Sequence, residues 1–527
     1  MNSTVKIDAH PVLSCSASTE YEKAFFSSGQ ETEDILMYRA GRAIAAAVED
    51  DFEEISGFPA QGKAVILAGK GHNAGDALIC ANTLLDRHPD LEVMVLLAFP
   101  VDSLRKNVRA PYELLRVRSE IHCIEEGDEI TPLLKKFSRG RCIDLCIDGI
   151  FGMQCRPPLR GSPLAIIQAV NEFEHIRLRA AVDLPSGIGD ESDPNAFEAD
   201  FTYSTGIAKV PVVEDRSIAK VGRLRYLDLG FFQPRPDLKP EMCILRQNIL
   251  WQLASFREPA TYKRTYGHLL VLAGSDSMPG ACLMATMAAA NSGCGLLTVG
   301  TLESVARAGI PLQPEAMWKA IPSIEGTLHD GILEEVESRF DDFSCILIGP
   351  GLGRTQGVQD LVKKVIETVD KPIVVDADAL VPDLQEHLQA RPKEFSPVVL
   401  TPHPGEWKRI GGETFEDSGA SSLTQFCQRN RCIVILKGPR TRIANAFNVY
   451  LSPFGGPVLA RGGTGDLLAG MVSSLLSQDP KNPTSAATLA TVWHGRAADC
   501  LARARGNWAV RTTLLLDFLP EALGFKH

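Results

Sequence analysis

Short continuous apolar runs, each followed by a helical stretch, recur along this chain in two sets, and no other feature restricts its fold as strongly. In the first set the runs are residues 64–68, 93–98, 143–147 and 180–182, interleaved with helical stretches such as 76–86 and 164–173. The second set comprises 269–273, 295–299, 345–348, 373–375, 398–400 and 432–436. A strand apolar on both faces has to be covered on both, so the alternation predicts parallel sheets sandwiched between helices. Between the sets, residues 230–240 carry three prolines in seven positions, which excludes helix and central strand alike. A length of 527 residues allows each set its own core, and the expected fold class is α/β in two domains. Residues 1–30 lack clear periodicity, and the first expected helix covers 34–48.

The formal net charge of -11 argues against a nucleic-acid or anionic-membrane partner, because no global field would attract a polyanion. An anionic substrate then has to be held by local donors. The thirteen cysteines form no C-x-x-C pair, and Cys142, Cys146, Cys345 and Cys432 lie in or beside apolar runs, the pattern of thiols in a reducing cytoplasm. No basic segment precedes an apolar core at Met1–Lys6, and no stretch reaches the ~18 apolar residues of a membrane span. The expectation is a cytoplasmic protein that is neither exported nor inserted.

Several loops at strand ends carry chemistry. Gly462-Gly463-Thr464-Gly465-Asp466 runs into an apolar helix, so that backbone N–H groups can approach an anion while Asp466 can take a proton from a hydroxyl. Ala273–Ala281, Gly349-Pro350-Gly351, Asp376–Leu380, Thr401–Glu406 and Lys437–Thr441 follow successive strands of the same half, with the final Gly-Lys-Ser/Thr of a Walker loop missing. In the first half, Gly69-Lys70-Gly71-His72-Asn73-Ala74-Gly75-Asp76-Ala77 joins a strand to a helix, and Asp148-Gly149 and Asp183-Leu184-Pro185-Ser186-Gly187 end two further strands. Ligands of open α/β sheets collect at such carboxyl ends. Asn73, Asp148, Asp183 and Ser186 are hard oxygen donors suited to a cation. Taken singly, each segment also reads as a glycine turn, a capping aspartate or a solvated lysine; their shared position after successive strands favours function.

The first-half motifs, together with Ala199-Asp200-Phe201-Thr202 and Lys209, resemble NAD(P)H-hydrate epimerases across residues 20–235. That resemblance implies a Rossmann-like three-layer domain interconverting R and S hydrates of NADH and NADPH (NADHX and NADPHX). It places the substrate against His72, Asn73, Ala74, Gly75, Asp76, the run Gly152, Met153, Gln154, Cys155, Arg156, Pro157, Pro158, and Asp183, the last as acid/base. Potassium is implied at Asn73, Asp148 and Ser186. The chain departs from the family at Tyr38, where Glu is usual, at His72, Ala74 and Ala77, and at Met153-Gln154 in place of Thr-Gly.

The second half resembles ADP- or ATP-dependent NAD(P)H-hydrate dehydratases of the ribokinase-like superfamily across residues 245–527, with a departure at Tyr262-Lys263-Arg264 where His-Lys-Gly is usual. Implied contacts are Ala281, Gly351 and His403 to the hydrated cofactor, Lys437, Gly438, Pro439, Arg440, Thr441 and Gly465 to the adenine nucleotide, and Asp466 to the substrate hydroxyl as base. Mg2+ is expected to bridge the nucleotide phosphates. The fused arrangement resembles bacterial repair enzymes, which favours ADP over ATP. The rival readings are a small-molecule kinase of the same superfamily and a first half that only binds. A homo-oligomer is left open.

Overall fold

The structure, a computed structural model, describes residues 7–233, 238–337, 340–412 and 420–524. The chain divides into two compact units, His10–Pro240 and Met1–Ala9 with Glu241–His527. The proline-rich joint ends where the second unit begins, although residues 234–237 lie outside the described residues.

In the first unit the strands are β1 (Ala9–Leu13), β2 (Lys63–Ala68), β3 (Glu92–Leu97), β4 (Glu120–Cys123), β5 (Ile143–Gly149), β6 (Ile176–Val182), β7 (Phe201–Thr205), β8 (Ala208–Lys209) and β9 (Arg223–Leu227). The main sheet runs β4-β3-β2-β5-β6-β7-β9 with every neighbour parallel, and β1 pairs parallel with β8. Successive residues of β2 point to opposite cores. Ala64, Ile66 and Ala68 pack on one face with helices α2 (Glu33–Phe52) and α3 (His72–Arg87), while Val65 and Leu67 pack on the other with helices Ile130–Ser138 and Gly161–Asn171. This is the three-layer sandwich that unbroken apolar runs require. A further helix, α1 (Cys15–Ser27), occupies the stretch in which no periodicity is legible; its buried residues are just Cys15 and Ser18, so it presents no apolar stripe.

The second unit adds β10 (Met242–Leu245), β11 (His268–Leu272), β12 (Leu296–Leu302), β13 (Met317–Ile321), β14 (Cys345–Ile348), β15 (Ile373–Val375), β16 (Val398–Leu400), β17 (Cys432–Leu436), β18 (Arg442–Ala444) and β19 (Val449–Leu451). Their order is β13-β12-β11-β14-β15-β16-β17-β18-β19-β10, parallel except where β18 meets β17 and β19. Strands β11 and β14 to β17 are buried along their length, and helices Pro279–Asn291, Thr464–Gln478 and Pro483–Arg505 supply much of the cover.

Both sheets reverse direction once. The chain lays down β2, β3 and β4 outward and then returns to place β5 beside β2; likewise β11, β12 and β13 are followed by β14 beside β11. Loops after the two strands at such a reversal diverge and leave a crevice. The cysteines are free; Cys146, Cys345 and Cys432 are buried as expected, whereas Cys142 is exposed just before β5. Among the described residues no helix is long and apolar enough to cross a membrane.

Candidate active sites

At the first crevice lies a cleft of about 640 Å³, lined among others by His72, Asn73, Asp76, Gly152, Met153, Gln154, Cys155 and Asp183. The loop after β2 and the loop after β5 touch closely: a Cβ on Gly69 would fall on the Ile150 carbonyl oxygen, and one on Gly152 would fall on Asn73 Oδ1. Asn73 ties this corner together, its Nδ2 donating to the carbonyls of Val182 (2.9 Å) and Phe151 (3.2 Å). Beneath it Asp148, fully buried, accepts from Ser186 N (2.6 Å), Ser186 Oγ (2.7 Å) and Ile150 N (3.2 Å), and Ser186 Oγ in turn accepts from Phe151 N. Burial raises the Asp148 carboxyl to about 6 against those donors. The three residues expected to hold a cation are therefore in one cluster.

Asp183 follows β6 with φ +64°, a left-handed conformation uncommon outside glycine and typical of strained functional positions. Lys209 Nζ lies 2.6 Å from its Oδ1, and Thr205 N donates to the same oxygen at 3.2 Å. This ion pair is almost fully buried, with side-chain exposures of 1% and 8%. Asp76 is also buried; burial, then Asp183, push its carboxyl well above the ordinary range, and its Oδ1 has no protein partner. His72 stands at the rim with Nε2 3.1 Å from Glu33 and 3.2 Å from Arg105, and burial with the Arg105 charge lowers its pKa.

Not every expected contact reaches the cleft. Arg156, Pro157 and Pro158 fall beyond its lining, which ends in that loop at Cys155. Ala74 and Gly75 sit on the inner side of α3, where Gly75 backs onto Met37 of α2. Ala74 and Ala77 occupy ordinary helical positions, so alanine in place of glycine costs no backbone strain there. Tyr38 points outward, 55% exposed, with the Arg42 guanidinium 5.6 Å from its ring. The cleft also contains Glu22, Lys209 and Arg105, which sequence reasoning did not place there.

In the second unit the crevice between β11 and β14 brings Ala281 and Gly351 together. Gly351 has φ +64°, and a Cβ there would come within 2.6 Å of the Met278 carbonyl and 2.9 Å of Ala281 Cβ, so neither chirality nor space admits a side chain. Further along the strand ends, Lys437 Nζ contacts Asp376 Oδ1 at 2.8 Å and Glu406 Oε2 at 3.8 Å, and lies 3.1 Å from where a Cβ on Gly465 would stand. Thr401 Oγ1 donates to the same Asp376 oxygen at 2.6 Å. Asp466 occupies the first turn of helix Thr464–Gln478 beside this group. Burial first, then Asp376, raise its carboxyl to about 7, with Lys437 opposing.

His403 caps helix Pro404–Arg409: its Nδ1 accepts from Gly405 N (3.0 Å) and Glu406 N (3.3 Å), which leaves Nε2 as the ring nitrogen free to donate. The cap leaves the imidazole 56% exposed while holding Glu406 toward Lys437. Gly438 and Pro439 are exposed and Thr441 Oγ1 closes the turn onto the Gly438 carbonyl, but Arg440 is turned inward and 5% exposed, at the base of the turn rather than on its open side. The glycine turn itself is braced: Thr464 Oγ1 donates to the Leu459 and Arg461 carbonyls, and Thr512 Oγ1 to that of Gly462. Its first N–H groups are left without intrahelical partners, as at any helix start, and form a seat for an anion. Buried His494 lies under Thr464, its pKa lowered to about 4 by burial; a lone histidine inside an apolar helix carries no signal in the sequence.

The family described as YjeF-related protein N-terminus matches residues 33–210, and the family described as NAD(P)H-hydrate dehydratase matches residues 269–521. The bifunctional NAD(P)H-hydrate repair enzyme of Moorella thermoacetica is 32% identical over 514 residues, covering 93% of this chain and 92% of its own. The chain belongs to the bifunctional NAD(P)H-hydrate repair enzyme family. The ADP-dependent (S)-NAD(P)H-hydrate dehydratase of Bacillus subtilis is 36% identical over 273 residues, 50% of this chain and 92% of that one. A crystal structure of the Bacillus subtilis ADP/ATP-dependent NAD(P)H-hydrate dehydratase, co-crystallized with ATP/Mg2+, shares 34% identity over 51% of this chain and 93% of that chain, with a TM-score of 0.44. Within a repair enzyme of this family the two crevices fall one in each matched region, the first bounded by Asn73 and Asp183 and the second by Gly351 and Asp466.

Proposed function

We propose that residues 20–235 epimerise R and S NADHX and NADPHX and that residues 245–527 dehydrate the S form to NADH or NADPH, with ADP as the phosphoryl donor and AMP and phosphate as by-products. The observation that carries this reading is the group of half-buried Asp466 and Lys437 with buried Asp376 and Glu406 at the anion-seating turn, in a chain of which a bifunctional relative covers 93%.

Hydrated NADH bears a hydroxyl on the ring carbon next to nitrogen, and hydroxide leaves poorly. Asp466 takes the hydroxyl proton as the oxygen attacks the terminal phosphorus of ADP, while the N–H groups of the turn and Lys437 receive the transferred negative charge. The ring nitrogen then expels phosphate to leave an iminium, which gives up a proton from the neighbouring ring carbon to the released phosphate and so restores the dihydropyridine. Lys437 is well suited to this, since Asp376 and Glu406 keep it charged against the penalty of burial. Ala281, Gly351 and His403 form the side that receives the hydrated ring; Gly438 to Thr441 and Gly465 border the nucleotide. Asp376 and Glu406 are hard oxygen donors of the kind Mg2+ takes, and the ion would offset phosphate charge when bound with the nucleotide.

In the first unit Asp183 acts as acid/base on the hemiaminal hydroxyl, with His72, Asn73, Asp76 and the loop Gly152–Cys155 around the substrate. Potassium fits the cluster of Asn73, Asp148 and Ser186. Among the described residues the hydrogen-bond partners of buried Asp148 are hydroxyl and N–H groups with no basic side chain, and carbonyls of Val182 and Phe151 converge beside it. A monovalent cation there would compensate the carboxylate and steady the loop after β5. The test is incubation of the full chain with mixed NADHX epimers and ADP or ATP while NADH absorbance is followed. Recovery of both epimers is the expected result, and accumulation of a stable phosphorylated product would instead identify a kinase.

A further inference from the structure

We propose that Glu22 is a catalytic carboxyl of the epimerase cleft, exchanging protons with the substrate's hemiaminal centre in partnership with Asp183; the inference rests on the epimerase reading above. Glu22 lies on α1, the helix that neither motif nor periodicity marks, and it lines the same cleft as Asp183, Lys209 and Asp76. The helix is firmly placed. Asp190 accepts the N–H groups of Cys15 (2.8 Å) and Ser16 (3.0 Å), Ser14 caps the N-terminus, and Tyr21 and Phe25 pack on Phe232 and Phe231 with ring centroids 5.2 Å and 4.8 Å apart. These contacts flank Glu22 in sequence and leave its side chain to the cleft.

What distinguishes Glu22 from a structural carboxylate is its lack of a partner. The cation that acts on it, Lys209, is committed to Asp183 at 2.6 Å, and no hydrogen bond or ion pair engages the Glu22 carboxyl among the described residues. The charged groups in the cleft with it are Lys209 from β8, Asp183 after β6, Asp76 from α3 and Glu33 from α2, together with Lys23 of α1 itself, Lys70 after β2, and His72 and Arg105 at the rim. Burial, opposed by Lys209 and aided by Asp183 and Glu33, raises it to about 7. Burial, then Asp183, hold the Asp76 carboxyl well above the ordinary range, and a carboxyl near the working pH is the effective acid/base. Two carboxyls in one cleft, one ion-paired and one protonated near neutrality, divide the roles of base and acid.

Glu22 gives its proton to the departing hydroxyl as the ring-nitrogen lone pair forms the C=N bond and the C–O pair leaves with oxygen as water. Water adds to the other face of the iminium carbon and yields a proton to Asp183, and the C=N pair returns to nitrogen. One water leaves and one enters, nothing is oxidised, and the proton passes back from Asp183 to Glu22 through solvent. The reverse direction uses the same shared proton, so both directions slow once the pair loses it.

The experiment uses the full chain without adenine nucleotide, so that dehydration cannot proceed and only interconversion of purified (R)- and (S)-NADHX is read by chromatography. Glu22→Gln is expected to lower the limiting rate about a hundredfold or more, the usual scale for a lost acid/base, with KM nearly unchanged. It should also abolish the fall in rate that the wild type shows as pH rises through about 7. Glu22→Asp, which keeps the exchangeable proton, should recover much of the rate. A Glu22→Gln rate close to wild type, or an unchanged pH profile, overturns the assignment. So does a loss shared equally by Glu22→Asp and accompanied by a lowered unfolding temperature, which marks a structural role. A wild-type chain that fails to accelerate interconversion overturns the epimerase reading beneath it.

Discussion

The Asp466 carboxyl sits in the first turn of a helix, where the dipole favours the anion by about 0.3–1 kcal/mol. Burial and the neighbouring Asp376 nevertheless raise it to about 7, a larger effect at roughly 1.4 kcal/mol per pH unit. Two outcomes are expected. Because the base must be deprotonated, dehydration of (S)-NADHX should increase as pH rises through about 7, and Asp466→Asn should lower it by about two orders of magnitude or more while ADP still binds by calorimetry. Near-normal turnover in that variant would remove Asp466 from the mechanism. The second outcome concerns stability. The native state holds this proton more tightly than the unfolded chain, whose carboxyl titrates at its ordinary 3.8, so the ligand-free protein loses stability as pH climbs from about 4 to about 7 and stays lower above that. Asp466→Asn escapes the loss: its unfolding temperature by scanning calorimetry should exceed that of wild type at about pH 8 and differ little at about pH 4.

At the scale of elements, the reversal of each sheet decides where chemistry collects, and it does so through backbone contact. Gly69 N donates to the Gly149 carbonyl at 3.1 Å, and a Cβ on Gly69 would collide with the Ile150 carbonyl. Backbone cannot step aside as a side chain can, so Gly69→Ala should cost more than the ~1–3 kcal/mol of ordinary overpacking and spread β2 from β5. The variant is expected to lose epimerisation measured without nucleotide yet keep dehydration of (S)-NADHX; unaltered epimerisation would mean that this junction does not shape the cleft. Strands such as β2, β11 and β14 are legible in sequence because both faces are buried, and loops after them are legible because only glycine permits such approach. Edge strands were not. In β13 residues Met317 to Ala320 are partly exposed, so the run lacks both the apolar continuity of a central strand and a clean alternation. Helix α1 hides for the related reason that it packs with aromatics at Tyr21, Phe25 and Phe26 rather than along a regular stripe, and with it the sequence hides Glu22. The pairing of Lys209 with Asp183, and His494 altogether, are invisible for another reason: a buried ionisable residue announces itself through partners that folding brings from far along the chain.

For the whole molecule, the two reactions are joined by a shared intermediate, because the S epimer made by one unit is the substrate of the other. Intact protein with excess ADP is therefore expected to convert both NADHX epimers, in a fast phase that consumes S and a second phase set by epimerisation. Asp183→Asn tests the link in the full-length chain. Asparagine is among the residues that tolerate the left-handed conformation found at this position, φ +64°, so the backbone should persist. The substitution does leave buried Lys209 without its carboxylate, a change that commonly costs ~3–5 kcal/mol. Damage of that kind, if confined to the first unit, leaves the fast phase intact, and the fast phase is thus the internal control for the second unit. The expected result is an unchanged S-phase followed by a slow phase that falls to the spontaneous epimerisation rate, read as NADH absorbance. An Asp183→Asn slow phase equal to that of wild type, both at the spontaneous rate, would show that this chain's cleft binds the hydrate without turning it over, and the departures at His72, Met153 and Gln154 would then be the place to look, since each lines the cleft.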